Sequence, residues 1–334
     1  MAAQQGEGMA TELGDFRVTA RDLRFVGQGL RRPECVLCNA AGDIFVSHWE
    51  GGVTRIEPNG RQTDYLGPGK PTLRTNGFAI SPEGDFLCAN LEPPGGVWRV
   101  TRERQQYPVC LEADGILLDS CNFCMVDRQG RVYITVSTRK NPRQLAYRKD
   151  VASGFIVLVD RKGARIVADG IGYTNEAIVD PSGEYLYVNE TFGRRTSRYR
   201  IAADGGLSGR EIVAEYGPGT FPDGLAFDEE GGIWQTSVVS NRLIHIAPDG
   251  RQTIVYEESD AAAVAAVEAS YQANAMRPTA MSEMKFEVAK NIASINFGGP
   301  DRRTAYMGNL LDSRVYAFRA PVAGLKPSHW EVRF

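Results

Sequence analysis

The sequence predicts an all-β fold, a six-bladed β-propeller with four-stranded blades and a helical insertion before the last blade. Three observations carry this expectation. One short unit recurs six times: a polar residue, an apolar run, a turn with Pro, Asp or Gly, and an alternating strand. In the first five copies the residue after the turn lies nine positions beyond the polar head. Several copies then continue into a third strand and a fourth apolar run, which makes four strands per unit.

The copies are PECVLCNAAGDIFVSHW from Pro33, TNGFAISPEGDFLCANL from Thr75, CNFCMVDRQGRVYITVS from Cys121, TNEAIVDPSGEYLYVNE from Thr174, PDGLAFDEEGGIWQTSV from Pro222 and ASINFGGPDRRTAYMGN from Ala293. The heads are Glu34, Asn76, Asn122, Asn175, Asp223 and Ser294, and the last copy carries one extra turn residue. Third strands are visible in GGVTRIEPNG at 51–60, GGVWRVTRE at 95–103 and NRLIHIAPDG at 241–250. The heads are spaced by 42, 46, 53, 48 and 71 residues, so the last interval holds an insertion. That segment, 259–290, is rich in Ala, Glu and Met without β-branched alternation, and reads as a helix or two. It is either decoration or a lid over one face. A ring must close to leave no open sheet edge. DFRVTARDLRFVG, before the first head, and HWEVRF, at the C-terminus, both suit the closing strand. Residues 1–14 read as a flexible polar tail and 15–334 as one propeller domain.

Composition narrows the partners. A net charge of −3 gives no electrostatic reason for nucleic acid or an anionic membrane. No apolar stretch approaches the roughly 20 residues that span a bilayer. The first residues lack the basic and apolar regions of a secretory signal. Six cysteines in that context read as reduced thiols in a cytoplasmic protein. The pairs Cys35/Cys38 and Cys121/Cys124 have zinc-ribbon spacing. Residues three apart in a strand point to opposite faces, however, so neither pair chelates as a unit.

In a propeller the first strand of each blade lines the axis, so the six heads converge at one end of the channel. The second strand runs back to the same end and brings His48, Trp49, Asn90, Glu92, Thr138, Asn189, Glu190 and Ser237 around them. Turn-closing hydrogen bonds account for Asn76 and Ser294. They account less well for Glu34, Asn175 and Asp223, because buried charges are paired or coordinate metals. These hard oxygen donors suit calcium first, with ferrous iron, manganese, magnesium or zinc as alternatives.

At the same residues the chain resembles the senescence marker protein/gluconolactonase (regucalcin-like) family, over about residues 23–320. The resemblance rests on Glu34 in PECV, on TNEAIVDPSGEYLYVNET, and on FPDGLAFDEEGGIW with Asp223. It implies that Glu34, Asn175 and Asp223 hold one divalent metal, with Asn122 on the metal or the substrate, and that the reaction is lactone hydrolysis. The sequence departs from the sugar-lactonase pattern at Ser120, where the family usually has Arg, at Phe123 in place of Asp, and at Glu176 in place of Gly. Cys121, Phe123, Trp49 and Phe192 point to a less polar pocket.

The resulting expectation is a metal-dependent hydrolase of a small lactone or related ester. Asp223 is the first candidate for general base, with Glu190 and Glu176 behind it and His48 as a further option. Asn122, Asn76, His48, Trp49, Phe123, Thr138 and Phe192 would face the small-molecule substrate. The alternatives are a non-lactone hydrolase or a lyase on the same metal site, or a non-catalytic metal-binding or scaffold propeller.

Overall fold

The computed structural model describes residues 13–334. Six four-stranded antiparallel sheets surround one axis, and each head introduces the innermost strand of its blade. The inner strands are Val36–Cys38, Thr75–Ile80, Cys121–Val126, Thr174–Val179, Thr220–Phe227 and Ile292–Gly298. Adjacent blades bury apolar faces against each other. Phe45, Phe78 and Phe86 join the first two blades, for example, and Trp234, Phe297 and Phe318 join the last two.

The N-terminal segment closes the ring. Arg24–Val26 pairs antiparallel with Val315–Arg319 as the outer strand of the last blade, placing Phe25 opposite Tyr316. The other closing candidate forms no strand. It packs instead: Phe334 lies 4.5 Å from the Phe45 ring centre, and Asn39 Nδ2 donates to the Val332 carbonyl at 3.0 Å. Of the tail expected at 1–14, residues 1–12 lie outside the described residues, while Leu13 is buried in the core between the last two blades.

The insertion holds one helix, α1, at Ala261–Gln272. Asp260 caps it by accepting from the Ala262 and Ala263 amides at 2.8 and 3.0 Å, which satisfies two donors that a helix start leaves free. α1 docks on the head end of the ring. Arg194 donates to both oxygens of Glu268 at 2.8 and 2.9 Å, and the Gly219 amide donates to the same carboxylate at 2.8 Å. Tyr271, Met276, Ala280 and Met284 complete an aromatic cluster with Tyr147, Tyr173, Phe192 and Phe221. Among the described residues no helix is long and apolar enough to cross a membrane.

Candidate active site

In five of the six blades the pairing slips near the head, where a regular ladder should begin. The first and second strands of a blade change register between Thr75 and Phe78, Cys121 and Phe123, Thr174 and Ala177, Pro222 and Leu225, and Ile292 and Ser294. A bulge leaves residues unpaired and re-aims their side chains. Asn76, Asn122, Asn175 and Asp223 each lie in such a bulge, and Glu34 sits just before the shortest inner strand. With Glu176, these side chains gather at one end of the axis.

The group is buried: Glu34, Asn76, Asn122, Asn175, Glu176 and Asp223 are 2–5% exposed. Asn76 is its hub. Its Nδ2 donates to Glu34 Oε1 at 2.9 Å and to the Asn122 carbonyl and Oδ1 at 3.2 and 3.3 Å, while its Oδ1 accepts from Arg32 Nη1 at 2.8 Å. Asn175 Nδ2 donates to Thr191 Oγ1 at 2.9 Å, and Thr191 is anchored on the Pro222 carbonyl at 2.8 Å. Ser294 is taken up by structure, donating its hydroxyl to the Glu34 carbonyl.

The carboxylates are held against their chemistry. Burial raises Glu34 to about 7, partly offset by the Arg32 charge and the Asn76 hydrogen bond. Burial raises Asp223 well above the carboxylate range, and the charge of Glu34 raises it further. Glu176 is raised well above its ordinary value by burial and then by Glu34 and Asp223. Glu34 Oε2 and Glu176 Oε1 are buried without a hydrogen-bond partner. Unpartnered buried acceptors among mutually repelling carboxylates suit a hard cation. Among the described residues no three His, Cys, Asp or Glu side chains are grouped to hold a metal. Hard oxygen donors also include amide oxygens, and the Asn122 and Asn175 side chains lie in the same buried group as the Glu34 and Asp223 carboxylates.

Glu176 and Phe123 form the floor. Each follows a head within its bulge, and each occupies space that a neighbouring glycine leaves open. A Cβ on Gly224 would lie 2.9 Å from Glu176 Oε2 and 2.6 Å from the Ala293 carbonyl oxygen, and one on Gly77 would strike the Phe123 ring. Glu176 Oε2 accepts from the Leu225 amide at 3.1 Å. Phe123 and Glu176 also line a separate cavity of about 270 Å³ along the axis, together with Phe78, Ile178, Phe227 and Phe297.

The remaining expected site residues divide by position. The Trp49 ring is covered by the Arg32 guanidinium at 4.4 Å, and Phe192 packs at 4.6 Å on Tyr147 and 4.9 Å on Tyr173 in the wall under α1. His48 Nδ1 accepts from the Glu50 amide at 3.1 Å, and burial lowers the pKa of its ring. Thr138 Oγ1 shares a hydrogen bond with Ser153 at 2.7 Å. Glu190 is engaged by Arg195, Arg210, the Ser197 hydroxyl and the Gly172 amide, and these contacts hold it below the usual carboxylate range despite its burial. Such a carboxylate is a poor proton acceptor near neutral pH. Two further residues stand at the site outside the repeated unit, Arg32 just before the first inner strand and Arg143 in a short helical turn.

Residues 70–267, more than half the chain, match the SMP-30/gluconolactonase/LRE-like region. The chain belongs to this family. Asn122, Asn175 and Asp223 fall inside the matched segment and Glu34 precedes it. A curated relative, the 6-deoxy-6-sulfogluconolactonase of Pseudomonas putida, is 28% identical over 106 residues, which span 31% of this chain and 36% of that protein. In fold, this family member is similar to a gluconolactonase from Xanthomonas campestris (TM-score 0.66, 17% identity, 90% of this chain and 89% of that one). It is also similar to regucalcin, a calcium-binding protein from Agrobacterium tumefaciens (TM-score 0.62, 16% identity, 93% and 98%).

Proposed function

We propose that this protein is a metal-dependent lactonase that opens a small cyclic ester at the head end of its axis. One observation carries the reading: a buried set of two carboxylates and two amides whose Glu34 Oε2 has no partner within the protein. Membership of a family that includes gluconolactonases supports it, as does the partial likeness to a sulfogluconolactonase.

Glu34, Asn122, Asn175 and Asp223 would hold the ion, calcium first on the chemistry of the donors. A bound divalent ion supplies a Lewis acid for the ester carbonyl and a water of lowered pKa. The chain's own residues do the rest. Asn76 ties Glu34 Oε1 and Asn122 Oδ1 to one amide, which fixes both side chains and leaves Glu34 Oε2 without a partner. Asp223 is the proton acceptor of the reading. In the loaded site it would be ionised, because a divalent charge beside it opposes both the burial and the Glu34 repulsion that raise it. Burial of Glu176 outweighs the pull of the Leu225 amide toward the ionised form, so this carboxyl holds a proton at the site and keeps it available to the opening ring oxygen. Phe123 and the aromatic wall of Tyr147, Tyr173 and Phe192 exclude bulk water.

The test is metal content by elemental analysis alongside acid release from a panel of lactones. Asp223→Asn should bind less metal and lose about 100-fold or more in kcat/KM, the scale of a general base or metal ligand. Full metal content with unaltered turnover in Asp223→Asn would remove the basis of the reading.

A further inference from the structure

Above the cage stand two guanidiniums that the repeat does not supply. Arg32 precedes Glu34 by two residues and takes a left-handed backbone conformation, φ 49°. Its guanidinium is held from two sides, by Asn76 Oδ1 at 2.8 Å and by the face of Trp49 at 4.4 Å. Arg55, Arg131 and Arg165 each sit on an aspartate, but among the described residues Arg32 pairs with no carboxylate. Arg143 comes from a short helical turn at Arg143–Ala146. It donates to Glu92 Oε1 at 2.9 Å and to the Tyr147 hydroxyl at 2.7 Å, and its Nε is buried with no acceptor.

A charge count separates the two arginines from the cage. In the lactonase reading Glu34 and Asp223 are neutralised by a divalent ion, so they no longer compensate Arg32. Glu92 compensates Arg143 alone. That leaves one fixed cation with several unused N–H donors, already stacked and oriented, at the mouth of a desolvated site. A guanidinium held this way is complementary to a planar or tetrahedral oxyanion that accepts two hydrogen bonds.

We propose that Arg32, backed by Arg143, is the specificity determinant of the pocket and selects lactones whose ring carries an anionic substituent, a carboxylate or another oxyanion. The inference rests on the lactonase reading of the cage. It gives the loss of the family's usual Arg, at Ser120, a physical counterpart: the guanidinium reaches the pocket from the first blade's entry loop instead of the third blade. Trp49 takes the stacking role, so the selected substituent would lie beside an aromatic face.

A pair of lactams that cannot be hydrolysed tests binding without turnover. Calorimetry on the calcium-loaded protein would compare 5-oxoproline, which carries a carboxylate, with 2-pyrrolidinone, which does not. The expected preference for 5-oxoproline is about 10-fold or more, falling as sodium chloride is raised. Arg32→Gln keeps a planar group over Trp49 and should abolish the preference, and Arg32→Lys should recover part of it. Equal affinities, no binding of 5-oxoproline, or a preference that survives Arg32→Gln would overturn the inference. In parallel, kcat/KM is compared for γ-butyrolactone and its γ-carboxylate. The carboxylate should win, mainly through KM, and its advantage should shrink about 10-fold in Arg32→Gln. Opening of both lactones at equal kcat/KM overturns the inference and leaves the lactonase reading intact. If neither lactone opens while the lactam preference depends on Arg32, the anion site stands and the lactonase reading falls.

Discussion

In metal-stripped protein, raising the pH should weaken the fold, and Glu34→Gln should remove the share of that weakening that Glu34 contributes. Glu34 is buried and its pKa is raised from 4.5 to about 7, first by burial. The folded state therefore keeps a proton that the unfolded chain releases above pH 4.5. Stability contributed by the protonated form is complete below pH 4.5 and is lost progressively until the folded carboxyl titrates near pH 7. A displacement of that size corresponds to about 3 kcal/mol, of which about 2–3 kcal/mol falls between pH 5 and pH 8. Asp223 and Glu176, both repelled by Glu34, add in the same direction. Glutamine keeps an oxygen for Asn76 and carries no charge, so the variant should gain about that much over wild type as pH rises. Urea unfolding in chelator at pH 5 and pH 8 measures it, since the two proteins share every other titrating group. A divalent cation should reverse the sign in wild type, adding about 2.7 kcal/mol at a hundredfold excess over Kd. Parallel pH profiles for the two proteins, or an equal gain from metal in both, would refute the reasoning.

Three further perturbations probe the scaffold around the cage. Gly224→Ala puts a methyl 2.6 Å from the Ala293 oxygen and the Ser294 Cα, and should cost about 1–3 kcal/mol in urea unfolding. His329 is buried with Nε2 unpartnered, and burial lowers its pKa to about 4. Its unfolded form takes up a proton below about 6.5, so stability should fall by about 3 kcal/mol from pH 6.5 to pH 4, and His329→Gln should flatten that slope in thermal melts. Glu268→Gln leaves the largely buried Arg194 without its counter-charge and should cost roughly 2 kcal/mol or more, with proteolysis appearing first in 259–290.

The repeat was legible because a strand–turn–strand unit writes itself locally. Alternation marks the faces, and Pro, Asp and Gly mark the turn between the head and its return strand. The same unit put Glu34, Asn122, Asn175 and Asp223 at equivalent positions of four blades, and all four are buried there. Ring closure was not legible, since DFRVTARDLRFVG and HWEVRF have similar strand character and only tertiary pairing with Val315–Arg319 distinguishes them. The bulges were hidden for a related reason: register is a property of two strands, and neither strand alone records it. Arg32 and Arg143 left no signal because they lie in connections outside the repeated unit, where arginine is ordinary. Glu176 was visible as a departure from the family pattern. Its place on the floor became apparent only from the space Gly224 provides. Glu190 shows the opposite case, a carboxylate at the expected end of its strand whose Oε1 is turned to Arg195 and Arg210 and whose Oε2 accepts from the Gly172 amide.

Metal dependence of ring opening is decided by adding metal back to the stripped protein while acid release from γ-butyrolactone and its γ-carboxylate is recorded continuously. Ring opening should be absent in chelator, rise with added calcium or another divalent ion, and level off near one equivalent per chain. Stoichiometric metal binding with no ring opening, or ring opening indifferent to metal, would contradict the metal-dependent lactonase reading.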